Sequence, residues 1–241
     1  MRLAVLSDIH SNADALQAVI NDIATQSPDL TVNLGDCLSG PLQADRAADM
    51  LIAADWPTVR GNHDRWLTDP PDPDPQWDVD ARPHLSPAHL GWVRALPATL
   101  TIGDVFLCHA TPQDDVTRWL NHVTPQGHVA PNSLPDIASR AEGIPQSLLL
   151  CGHSHVAEAV RLPDGRLIVN PGSVGVPGFD DRSHRIVTGA PHARYALLDQ
   201  TTYGWSVTFR MVPYDTAPAV ALARARHRPD WAEVLETGWI T

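Results

Sequence analysis

Residues 2–59 alternate short apolar runs with helical repeats, and that rhythm constrains the fold more than any other feature of the chain. Residues 2–7 are an apolar run that ends in polar residues, the mark of a buried strand. Ser11, followed three residues later by Asp14, resembles a capping pair, and Leu16, Val19, Ile20 and Ile23 then recur at helical spacing until Pro28. Residues 30–34 form a second apolar run, a helix near Ala44–Ala54 follows, and Thr58-Val59 begins a third strand. Strand, helix, strand, helix and strand in that order predict a parallel sheet with helical crossovers.

The rhythm breaks at residues 69–87, where six prolines interleaved with aspartates at 69, 72, 74 and 78 predict a loop or extended excursion outside the core. A short helix near 88–95 and a hairpin around Gly103-Asp104 follow. A second excursion, 111–145, carries Trp119, His122 and His128. Strands are expected at 147–151, 156–161, 167–170, 195–198 and 206–211, before a helix near 217–226. The expectation is one α/β domain over residues 1–241, with two packed mixed sheets, helices outside, and a small cap built from excursions 66–95 and 111–145.

Composition narrows the class. Hydrophobic residues make up 43% of the chain, enough for a full core. The apolar runs at 3–6 and 148–151 fall far short of the about 20 residues a membrane helix needs. The N-terminus lacks a secretory apolar stretch, so the sequence reads as cytoplasmic. Three cysteines without C-x-x-C spacing speak against disulfides and against a thiolate metal site. A net charge of −11 does not suit stable nucleic-acid binding, although bound cations would reverse the sign inside a small phosphate site. Nothing in the sequence specifies an oligomeric state.

Five polar clusters each follow a predicted strand: Asp8-Ile9-His10, Gly35-Asp36, Gly61-Asn62-His63-Asp64, Cys108-His109 and Gly152-His153-Ser154-His155. Ligands of α/β sheets bind beyond the carboxyl ends of strands, so these side chains are expected to converge. Two Asp, one Asn and four His give seven oxygen and nitrogen donors, a set suited to Mn²⁺, Fe or Zn²⁺ and too large for one tetrahedral ion. Two metals sharing a carboxylate can clamp the attacking and leaving oxygens of a displacement.

In this order the clusters resemble the motifs of the calcineurin-like metallophosphoesterase superfamily: D-x-H, G-D, G-N-H-D, H and G-H-x-H. The segments starting at Val59, Asn170 and Arg194 are similar to its small bacterial and archaeal phosphodiesterase branch. The resemblance implies a four-layer α/β/β/α sandwich. It also implies two divalent or trivalent ions, Mn²⁺ ahead of Fe or Zn²⁺. Asp8, His10 and His155 would hold the first ion, Asn62, His109 and His153 the second, and Asp36 would bridge. A metal-bridging hydroxide would be the nucleophile, and His63 would protonate the leaving oxygen, oriented by Asp64. The substrate would be a small phosphodiester or nucleotide-like molecule. A phosphomonoesterase with the same site, or a non-catalytic metal-binding scaffold, are the alternatives. The chain departs from the protein-phosphatase pattern at Gly35-Asp36-Cys37-Leu38-Ser39-Gly40, which lacks that group's phosphate-binding Arg. His122 and His128 are weighed as substrate contacts because their excursion adjoins His109. Asp180-Asp181-Arg182 with His184 and Arg185 reads as an exposed loop whose arginines could bind a phosphate.

Overall fold

The structure, a computed structural model, describes residues 1–180, 185–186 and 189–240. The chain opens with β1 (Arg2–Leu6), α1 (Ala13–Gln26), β2 (Leu30–Asn33), α2 (Ala44–Ala54), α3 (Asn62–Thr68), α4 (Gln76–Ala81), a 3-10 turn at Arg82–His84 and α5 (Pro87–Ala95). It continues through β3 (Thr99–Ile102), β4 (Val105–Cys108), β5 (Asn121–Val123), β6 (Val129–Pro131), α6 (Leu134–Arg140), β7 (Leu148–Leu150), β8 (Glu158–Arg161) and β9 (Leu167–Asn170). It closes with β10 (Phe179–Asp180), β11 (Arg185–Ile186), β12 (Ala193–Thr201), β13 (Gly204–Val212), α7 (Ala217–Ala225) and α8 (Pro229–Thr237).

Two mixed sheets carry the architecture. In the first, ordered β13-β12-β1-β2, β1 and β2 run parallel and β12 runs antiparallel to both β1 and β13. In the second, ordered β3-β4-β7-β9-β8, the central three strands are parallel and the two edges antiparallel. Strand alternation sorts the apolar side chains into layers. Leu3 and Val5 join Val32, Val105, Leu107, Leu148, Leu150 and Val169 in a core between the sheets. Ala4 and Leu6, out of phase by one residue, pack instead with Leu16 and Val19 of α1 and Ala47 and Leu51 of α2. Leu149 and Ile168 turn outward onto Trp119, Leu120 and Ile137. Each such buried side chain is worth roughly 1.5–3 kcal/mol, so a one-residue slip of β1, which would swap its faces, is heavily disfavoured. The expected layered α/β/β/α order is what the packing produces.

Several local expectations are corrected. The third strand at Thr58-Val59 is a single parallel bridge, Asn33 to Thr58, because the Arg60 amide already donates to the Pro97 carbonyl at 2.7 Å and α3 starts two residues later. Asn12, not Ser11, caps α1: its Oδ1 accepts from the Ala15 amide at 3.1 Å, while the Ser11 hydroxyl accepts from the Leu42 amide. The stretch 69–87 is not simply a loop, since it contains α4. Its prolines sit where a helix tolerates them, Pro75 as the residue before α4 and Pro87 as the first residue of α5, so no internal hydrogen bond is lost. Residues 111–145 hold the β5–β6 hairpin and α6, and they deliver Trp119 and Ile137 to the outer face of the second sheet. Helix α8 was not anticipated; it packs Trp231, Val234 and Leu235 with Val220 and Ala223 of α7. Among the described residues, no helix is long and apolar enough to cross a membrane. Asp181, Arg182 and His184 lie outside the described residues.

Candidate metal centre

Four parallel strands end at one edge of the paired sheets, and each delivers donors. β1 runs into Asp8 and His10, β2 into Asp36, β4 into His109, and β7 into His153 and His155. Asn62 comes from the first position of α3. The strand-end backbone is unusual. Asp8, His10, Asp36, His153 and His155 all adopt positive φ, between 46° and 67°, a region that residues with a Cβ occupy at a cost of order 1–3 kcal/mol. Such strain persists only where surrounding contacts hold it. Here the loop after β9 supplies them: the Ser173 hydroxyl donates to the Asp8 carbonyl at 2.7 Å, the Gly175 amide donates to the same carbonyl, and Asn170 Nδ2 donates to the Gly152 carbonyl at 2.6 Å. Two glycines let the loops close in. A Cβ on Gly152 would lie 1.9 Å from Ser7 Oγ, and one on Gly61 would lie 2.1 Å from Asp36 Oδ1.

The seven side chains form two adjoining groups. Asp8, His10 and His155 make one, and Asp36, His109 and His153 the other; within each, the candidate ligand atoms lie within 4.8 Å of one another. Asp36 joins them, because its Oδ2 is 3.8 Å from His10 Nε2 and 3.2 Å from His109 Nε2. Asn62 Oδ1 lies 3.1 Å from His109 Nε2, on the second group. All but His153 are buried.

The donors fit cations. His109 Nδ1 is 2.7 Å from the Leu34 carbonyl and His155 Nδ1 is 2.7 Å from the Val176 carbonyl; a carbonyl can only accept, so both Nδ1 atoms carry the proton and Nε2 is left as the donor atom. His10 Nδ1 is held the same distance scale away by the Ser39 hydroxyl, at 2.8 Å. His10 Nε2 and His155 Nε2 lie 3.1 Å apart, a distance that a hydrogen bond from the Nε2–H tautomer of His10 satisfies and that also lets one cation meet both rings. Asp8 Oδ1 is buried with no hydrogen-bond partner among the described residues, yet lies 3.4 Å from His155 Nε2. Charge tells the same story. Burial pulls the His109 imidazole down, but the Asp36 carboxylate and then Asp8 raise it to about 10. Burial, reinforced by the His109 charge, pushes His153 down to about 3. Thiolates play no part: Cys37, Cys108 and Cys151 are buried, free, and pushed up by burial.

The comparisons with known proteins agree with this geometry. Residues 1–190 match the model of the calcineurin-like phosphoesterase superfamily domain. The chain belongs to that superfamily. The family is one of metal-dependent hydrolases that use divalent metals on small phosphate esters. A metallophosphoesterase from Sphaerobacter thermophilus superposes with a TM-score of 0.75 at 24% identity, over 99% of this chain and 100% of that one. An uncharacterized protein of Methanocaldococcus jannaschii is 24% identical over 253 residues, which span 95% of this chain and 94% of that protein.

Within this phosphoesterase site, His63 projects from α3 beside the metal-group histidines, edge-on to His10 with ring centroids 5.4 Å apart. Its backbone amide donates to Asp36 Oδ1 at 2.9 Å. The expected Asp64–His63 pairing is corrected. Asp64 instead accepts from three backbone amides, those of Asp36, Cys37 and Gly61, at 2.8, 2.9 and 3.0 Å. Burial and the Asp36 charge push its carboxyl up to about 6, against the pull of those amides. The group that meets the His63 ring is Asp78, fully buried on α4, with both oxygens 3.0–3.1 Å from Nδ1. Burial pulls His63 down, but Asp36 and Asp78 raise it above the ordinary histidine value. Trp77, the residue before Asp78, stacks on His63 at 5.5 Å and stands edge-on to His10 at 4.9 Å. Sequence reading missed both residues. Their only signal was an apolar residue and an acid side by side inside a Pro- and Asp-rich stretch. His122 pairs with Asn132 Oδ1 at 2.9 Å, and it and His128 belong to the β5–β6 hairpin and to neither donor group.

Proposed function

We propose that the protein is a dinuclear-metal phosphoesterase acting on small phosphodiesters, organised as one domain with a small cap from excursions 66–95 and 111–145. The observation that carries this reading is the convergence of seven oxygen and nitrogen donors, with the Nδ1 atoms of His109 and His155 turned to backbone carbonyls so that their Nε2 atoms point into the cluster. Asp8, His10 and His155 would hold one ion, Asn62, His109 and His153 the other, and Asp36 would bridge through Oδ2. The donor set favours Mn²⁺, with Fe and Zn²⁺ compatible. When bound, such ions polarise the phosphoryl oxygen and lower the pKa of water.

The chain's own residues supply the rest. His63 Nε2 donates a proton to the leaving oxygen, a role worth about 10²–10⁴-fold in rate. Asp64 acts at one remove, tying the Asp36-Cys37 and Gly61 loops together so that Asp36 Oδ2 stays between His10 and His109. The diester preference rests on the resemblance of the segments starting at Val59, Asn170 and Arg194 to the phosphodiesterase branch. The test is hydrolysis of bis(para-nitrophenyl) phosphate by chelator-stripped protein, with and without Mn²⁺, beside the para-nitrophenyl monoester. The expected result is metal-dependent turnover with the higher kcat/KM on the diester. A higher value on the monoester moves the assignment to a phosphomonoesterase, and two bound metals with no turnover of either ester move it to a scaffold.

A further inference from the structure

We propose that Asp78 is the positioning residue for His63, holding the ring so that Nε2 faces the leaving oxygen of the substrate. This rests on the phosphoesterase reading above and names a residue from outside the five strand-end clusters. The geometry is specific. Both Asp78 oxygens lie within 3.1 Å of His63 Nδ1, and an ionised carboxylate only accepts, so the Nδ1 atom carries the proton. Nε2 is thereby left as the ring atom free to act on substrate.

Rotation about the ring is fixed by Asp78 and its plane by Trp77, which stacks at an interplanar angle of 19°, with Trp66 edge-on at 4.9 Å on another side. One short helix therefore supplies two independent restraints on a single imidazole. Asp78 has no comfortable reason to be buried otherwise. Burial pushes the Asp78 carboxyl above its ordinary value and the like charges of Asp36 and Asp74 add to that, while the hydrogen bond and charge of His63 oppose it. Burying a carboxylate without a partner costs several kcal/mol, so a fully buried Asp in an otherwise solvated segment points to the group it serves.

The step balances. A water oxygen forms the new bond to phosphorus, and the bond to the leaving oxygen breaks with its electron pair. The His63 Nε2 proton goes to that oxygen, giving an alcohol. The ring is left neutral, with its remaining proton on Nδ1 and still bonded to Asp78. Solvent takes the proton released by the attacking water and returns one to Nε2.

The experiment compares wild type and Asp78→Asn, both loaded with metal, on two diesters matched in size. One has a para-nitrophenyl leaving group, which departs without protonation; the other has an alkyl leaving group, which needs it. For the alkyl ester, kcat should fall by roughly 10²-fold with KM little changed, and the loss on the nitrophenyl ester should be at least about tenfold smaller. Equal losses on both esters, or a change confined to KM, would overturn the proposal. Should Asp78→Asn fail to fold, ¹⁵N NMR of the zinc-loaded wild type decides: a protonated His63 Nδ1 is expected, and a bare one removes the basis of the assignment. Wild-type protein inactive on both esters would sink the phosphoesterase reading instead, and the NMR result would still report on the Asp78–His63 contact.

Discussion

The site has two walls of different construction. One is made of strand ends. Asp8, His10, Asp36, His153 and His155 leave the sheets within a few residues of β1, β2 and β7, in strained turns braced by hydrogen bonds from the end of β9 and the loop after it, and His109 directly follows β4. The other wall is α4, a six-residue helix in a Pro-rich segment, which lays Trp77 and Asp78 on the ring of His63. The first wall is rigid because it is an extension of the core. The second is held by its aromatic contacts, Trp77 meeting Trp231 of α8 at 4.8 Å and Phe179 at 5.8 Å. Donors that must stay within tenths of an ångström of one another sit on the first kind of support, and groups that shape the approach of substrate sit on the second.

This comparison can be broken at its strong side first. Asp36→Ala removes the carboxylate between the two groups, and we expect loss of bound metal by elemental analysis and a fall in kcat/KM beyond the 10–100-fold typical of a supporting residue. Retention of two metals per chain would show that Asp36 is no bridge. Gly152→Ala should come next. Its Cβ would collide with Ser7 Oγ, and overpacking of this kind costs about 1–3 kcal/mol, read from the urea midpoint. Adding Ser7→Gly should recover part of that loss; no recovery would mean the collision is relieved elsewhere.

Trp77→Ala probes the second wall. The half-buried indole should cost about 2 kcal/mol of stability and lower kcat several-fold while two metals remain bound. A change within about 0.5 kcal/mol, the range of a surface substitution, would make α4 a mere covering. The smallest effect serves as a control remote from both walls. Burial pushes the Asp22 carboxyl up, but hydrogen bonds from Arg210 and Tyr195 hold it below its ordinary value. A depressed folded-state pKa stabilises above the unfolded value of about 3.9 and is lost as pH falls through the folded value. Asp22→Asn should therefore cost about 1 kcal/mol at pH 7, a figure already reduced for partial solvent screening, with no loss of activity. The gap between wild type and variant should close below about pH 4. A gap that persists in acid would assign the effect to packing.

The strand-end wall was legible because its information is local. A short apolar run followed by Asp, His or Gly marks both a buried strand and the donors at its end. The β3–β4 hairpin was readable for the same reason. What could not be read depends on distant partners. Asp64 stands beside His63 in sequence, and adjacency suggested that they pair; the turn of α3 sends it instead to the amides of Asp36 and Cys37. Asp78 is fifteen positions from His63, behind prolines that look like a break in structure but lie at helix boundaries. Thr58-Val59 carried the pattern of a strand, yet the neighbouring hydrogen bond from Arg60 to Pro97 cuts it to one bridge.

By itself the sequence determined the layered α/β architecture, the strand ends where donors gather and the absence of thiolates among them. These follow from periodicity and from side-chain chemistry, which are properties of short segments. Only the tertiary structure decided which ring nitrogen of His109 and His155 faces the cluster and which carboxylate meets His63. Those outcomes depend on the relative placement of loops from two sheets and an inserted helix, and no local pattern encodes a contact between side chains that only the packed core brings within 3 Å.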